Sequence, residues 1–229
     1  MKLLRRIVRL GVTDELNYQA KREIVATNNL TPILTGAIFL LMILRDIVIP
    51  NAPDKVYWTV GIGLFLLPLV LNAFFLTTIS RLILCYVPVL FIWFSFVSSI
   101  LQVDVVEQSM FDALRIFLLA VSFIPYLILD RTRPILLILG VLPTLVSFVF
   151  FTEIILLLGV PYEQSTLHTM DYELMGVRSF VAYLILSTGC FAFQAIISNN
   201  DRYNQKLLTE LKTKSGEIEK QNKTLLQKQ

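Results

Sequence analysis

Six ionisable residues stand where a hydrocarbon surrounding would make them costly: Arg45, Asp46, Asp112, Arg115, Glu153 and Arg178 each lie in, or at the edge of, a long apolar run. A charge at the centre of a membrane helix costs about 2.5 to 3.5 kcal/mol on insertion scales, so such residues face protein or water. Asp112 and Arg115 are three apart and share a helix face, whereas Arg45 and Asp46 are adjacent, about 100° apart around a helix, and address different partners. Arg178 with Arg115 or Arg45 suits a carboxylate or phosphate. Asp46, Asp112 and Glu153 suit instead a cation held by oxygen ligands. Ser95, Ser98, Ser99 and Gln102 add a polar stripe at helical spacing.

The elements that carry these residues are apolar and long. The 229 residues are 55% hydrophobic, with a mean hydropathy of +0.70, too apolar for a soluble domain. A bilayer core of about 30 Å takes roughly 20 helical residues. Spans are predicted near Leu30–Ile49, Val56–Thr78, Leu82–Leu101, Met110–Leu129, Pro134–Leu158 and Leu174–Ser198. The runs are continuous rather than alternating, which excludes a β-barrel pattern. Pro68, Pro88, Pro125 and Pro143 fall in four different spans and can kink them. The fold expected is an all-α integral membrane bundle of six helices.

Loop charge orients it. With the N-terminus inside, Lys2, Arg5, Arg6, Arg9, Lys21, Arg22, Arg81, Arg131, Arg133, Arg202, Lys206, Lys212 and Lys214 lie inside, against Lys55 and Arg178 outside. Both termini are then cytoplasmic. Residues 1–29 form a basic cytoplasmic N-terminal region. LLRRIVRL within it could lie along headgroups, and Thr13, Asp14 and Glu15 start a helix that precedes the first span. MKLLRRIVRLG turns polar too early to read as a cleaved signal.

In this orientation the six charges all fall in the outer third. We expect Arg45, Asp46, Ser95, Ser98, Gln102, Asp112, Arg115, Glu153 and Arg178 to line a polar sensing pocket open to the outside, the alternative being a salt-bridge network that only fixes packing. In the last span Ala182, Gly189 and Ala192 share a stripe with Val181 and Ile185, so this face is expected to be packed, within the bundle or across a dimer.

Residues 199–229 continue the last span as a charged helix. Leu208, Ser215 and Asn222 take heptad position a, and Leu211, Ile218 and Leu225 position d. A second register puts Leu211, Ile218 and Leu225 at a, with Leu207, Lys214, Gln221 and Lys228 at d. The expectation is a parallel dimeric coiled coil. Gln229 carries no stop signal, so the helix is expected to lead on into an output domain.

His168 is the lone histidine, and no phosphate loop, catalytic triad or paired-cysteine metal spacing is present. Cys85 and Cys190 sit inside spans as small hydrophobes. This portion is expected to be non-catalytic and to need no cofactor. Its expected partners are a second copy, the bilayer and an unidentified small molecule or ion, with no nucleic acid.

The layout resembles the six-helix membrane domains of bacterial sensor histidine kinases and of membrane-bound class III adenylate or guanylate cyclases. The likeness lies in the basic start RRIVRLGVTDELNYQAKREIVATNNL, the long last outer loop GVPYEQSTLHTMDYE, and the last span FVAYLILSTGCFAFQAIISNNDRYNQKLL with its tail EIEKQNKTLLQKQ. It implies a homodimeric sensor domain over 30–198 in a bacterial inner membrane, signalling through 199–229 to a kinase of a two-component system or to a cyclase. An ion or small-molecule transporter, or a scaffold recruiting a partner through the coiled coil, are the other functions considered.

Overall fold

A computed structural model describes residues 6–13, 16, 18–48, 55–100, 108–159 and 170–226. All regular structure among them is helical. Residues 6–8 form a helical turn, followed by α1 (Tyr18–Val48), α2 (Lys55–Ala73), α3 (Thr77–Ile100), α4 (Gln108–Val121), α5 (Ile124–Ile128), α6 (Pro134–Val149), α7 (Phe151–Leu157) and α8 (Met170–Leu226). Among the described residues five helical stretches are long and apolar enough to cross a membrane, or six if the bent pair α6 and α7 is one span. The chain is thus compatible with a multi-pass membrane protein. Its contacts divide it into Met1–Thr188 and Gly189–Gln229.

In the first unit α3 packs against α2, α4 and α6, and more narrowly against α1 and α5. Its buried residues Leu84, Cys85, Val89, Trp93, Phe96 and Ile100 recur at helical spacing, which puts them on one face. Around that face lie Phe111, Leu114 and Leu118 of α4, Phe148 of α6, Phe151 and Ile155 of α7, and Tyr183 of α8. The outward faces of α1 and α2 are apolar and exposed, with Phe39, Leu40, Val56 and Val60 among them, as a lipid-facing surface requires.

Several boundaries differ from the sequence reading. The expected N-terminal helix and first span are one helix, α1, whose apolar stretch runs Ala20–Leu44. Along it Thr27, Thr31 and Thr35 donate back to the carbonyls of Glu23, Thr27 and Thr31, which satisfies their hydroxyls within the helix. The proposed start at Asp14 and Glu15 lies outside the described residues. The fourth span is interrupted at Ser122 and Phe123, just before Pro125, whose missing N–H disfavours a continuous ladder.

The fifth is not straight: α6 and α7 meet at 76°. Pro143 cannot bond the carbonyl of Leu139, and the Tyr86 hydroxyl donates to that carbonyl instead at 3.1 Å. The bend itself falls later, at Phe150, where neither Pro nor Gly stands. There the neighbouring Phe151 is held by tertiary packing.

The small-residue face of the last span is not packed within the single chain, which leaves the dimer alternative open. Ala182, Gly189 and Ala192 are exposed, as is Ile185 at 69%. Among the described residues, α8 buries Tyr183 in the first unit, where it stacks on Phe148 with centroids 4.9 Å apart.

Candidate functional site

The expected polar residues separate into different surroundings. Arg115 is 4% exposed, and its guanidinium carbon lies 4.4 Å from the centroid of the Phe151 ring. This geometry stabilises a desolvated cation by about 2 kcal/mol. On its other flank is α8: a Cβ added at Gly176 would stand 3.6 Å from Nη2 of Arg115. Asp112, one turn before Arg115, is half-buried, and its Oδ1 accepts no hydrogen bond among the described residues. Glu153 and Arg178 are exposed on α7 and α8. The side chains of Arg45 and Asp46, and all of Gln102, lie outside the described residues. Ser98 is half-buried on α3.

Among the described residues no group of three or more His, Cys, Asp or Glu could hold a metal ion. Asp112 and Glu153 therefore complete no such set, and Asp46 stands outside the description.

Beside the Arg115 cluster is a cavity of about 260 Å³. It is walled by Leu41 of α1, Trp58 of α2, Phe91, Ile92, Ser95, Phe96 and Ser99 of α3, and Met110, Ala113, Leu114 and Phe117 of α4. Of the expected pocket residues whose side chains are described, Ser95 alone lines it. The Ser99 hydroxyl donates to the Ser95 carbonyl at 2.8 Å, so its proton is committed to the helix. Among the described residues no charged side chain is in the wall. Gly61 shapes one side, since a Cβ there would lie 2.2 Å from Cε2 of Phe91, and this close approach lets Phe91 seat edge-on against Trp58 and Phe65.

The cavity and the cation share α3 and α4 and are joined by aromatic contacts. Phe96, in the cavity wall, packs edge-on against Phe111 at 5.3 Å and Trp93 at 6.2 Å. Trp93 lies 5.6 Å from Phe151, the ring beneath Arg115. The indole N–H of Trp93 donates to Ser147 at 2.9 Å, which fixes the ring's tilt.

A second polar cluster was missed in the sequence. Glu23 of α1 and Arg81 of α3 form a buried ion pair, and Arg81 also donates to the Thr77 carbonyl. Next to it Asn72 donates to Oδ1 of Asn28 at 2.7 Å. The Asn28 amide in turn donates to the carbonyls of Val8 and Leu10, pinning the N-terminal hook. Gly11, at φ +76°, sits so close that a Cβ would meet the Asn72 carbonyl at 2.3 Å. The repeat of Glu23, Thr27 and Thr31 at four-residue spacing was the available signal for a buried polar face.

In the second unit Leu208, Leu211 and Ile218 are exposed, while the side chains of Asn222 and Leu225 lie outside the described residues. Comparison of the chain with models of known families, with characterised proteins and with solved structures gave no match.

Proposed function

We propose that this chain is the membrane-embedded input half of a homodimeric receptor. It senses an extracytoplasmic or membrane-borne signal and passes it along its last helix to a cytoplasmic catalytic output, a histidine kinase or a nucleotide cyclase. The observation that carries the reading is α8, Met170–Leu226: one helix holds both Tyr183, buried among aromatic rings, and the exposed heptad residues Leu208, Leu211 and Ile218. Exposed leucines at heptad spacing on a charged helix favour pairing with a like helix. In this reading six spans place both termini in the cytoplasm, with α6 and α7 as one broken span. A ligand acts by binding one arrangement of the dimer better than another.

The test is disulfide crosslinking in native membranes of single cysteines at Leu211, Ile218 and Leu225, with Cys85 and Cys190 replaced by alanine. Rapid crosslinking there and slow crosslinking at Glu217 and Lys220 supports a parallel paired helix. Uniformly slow crosslinking removes the dimeric receptor and favours a transporter or a scaffold for a different chain.

A further inference from the structure

We infer that the cavity between α1, α2, α3 and α4 binds a single hydrocarbon chain drawn from the membrane, and that this chain is the signal. The role as signal rests on the receptor reading above; the binding does not.

The lining decides the chemistry. A polar or ionic ligand sheds hydration on entering a site and needs charges or several free donors in return. Here the wall offers rings, aliphatic side chains and two serines, one with its proton already committed. Such a wall gives water few partners and favours apolar guests. At roughly 30 Å³ per water-sized group, about the size of a methylene, 260 Å³ accepts one chain of about eight or nine carbons rather than a lipid with two chains.

Access fits the same occupant. Leu41 and Phe117, at the rim, are exposed on the apolar outside of the bundle, where the surroundings are acyl chains. A guest against Phe96 touches the ring that packs on Trp93 and Phe111. Trp93 packs on Phe151, and Phe151 carries Arg115, whose guanidinium borders α8 at Gly176. Occupancy thus bears on the packing of the last helix through contacts of 4.4 to 6.2 Å.

The experiment is photolabelling of the full chain in membranes with two diazirine probes, a fatty acid and a phosphatidylcholine bearing the same acyl group, followed by peptide mapping. We expect saturable labelling of α3 and α4 peptides. Ala113→Phe should lower it roughly tenfold, the effect of about two methylenes that no longer fit. Ser95→Leu, which fills the same space from α3, is the second variant, in case the first disturbs the fold.

Saturable labelling by the fatty acid alone assigns a free acid as the source, and labelling by the phospholipid assigns a bilayer chain; both support the site. Non-saturable labelling spread over the exposed faces of α1 and α2, unchanged in both variants, overturns it. If the site labels while the α8 cysteines fail to crosslink, the cavity stands and the receptor reading falls.

Discussion

Arg115 of α4 lies over the ring of Phe151, its guanidinium carbon 4.4 Å from the centroid, at the bend between α6 and α7. A buried cation is thus held by a ring face rather than left in hydrocarbon, and the ring is held in turn by Trp93. Removing either member exposes the same weakness. Phe151→Ala should destabilise the bundle by about 3 to 5 kcal/mol, as large-to-small core changes do. Arg115→Lys keeps the charge but loses the planar contact, and should destabilise by about 1 kcal/mol. Thermal unfolding in detergent measures both, and Phe151→Ala should be the more damaging.

The Glu23 and Arg81 pair makes a different prediction. Because both side chains are buried, Glu23→Leu or Arg81→Leu alone strands a charge and should cost about 3 to 5 kcal/mol. The double variant, Glu23→Leu with Arg81→Leu, should recover most of that loss. A double-mutant cycle on thermal stability gives the coupling; additive losses would mean that the pair is not formed.

The N-terminal hook rests on Gly11 and Asn28. Gly11→Ala puts a methyl group onto the Asn72 carbonyl in a backbone conformation that alanine resists. Asn28→Ala removes both of its donors to the hook. In each variant, limited trypsin digestion at Arg9 should quicken while the helical bundle stays resistant. Unchanged cleavage would mean that the hook is held by something else.

The orientation is checked by labelling. A membrane-impermeant maleimide added outside intact cells should reach a cysteine at Leu157, which is exposed at the end of α7. It should miss cysteines at Phe74 and Gln205 until the membrane is opened. The opposite pattern would invert the topology.

How much of this was legible in the sequence depends on the range of each interaction. Apolar runs located the long helices, because burying their surface needs only local composition. Pro125 marked the break between α4 and α5 for a local steric reason. The bend at Phe150 had no such mark, since the ring contacts of Phe151 come from Trp93 and Arg115, distant in the chain.

In the sequence Arg81 reads as a loop charge, because its partner, Glu23, stands 58 residues away in a stretch that looks merely polar. The cavity was harder still. It is a gap between shapes, set by the approach of Phe91 to Gly61, and no residue type announces a gap. The acidic and basic residues of the spans were visible, but not that Arg115 turns inward while Glu153 and Arg178 face out.

The central claim is that packing around Arg115 and the state of the last helix are coupled. The most direct measurement compares disulfide formation at Leu208→Cys with that at Leu207→Cys, in the parent chain and with Arg115→Lys, in native membranes. Position 208 belongs to the core of one heptad register and 207 to the core of the other. The account predicts that Arg115→Lys shifts the ratio of the two rates. An identical ratio in both backgrounds would contradict transmission from the bundle to the helix.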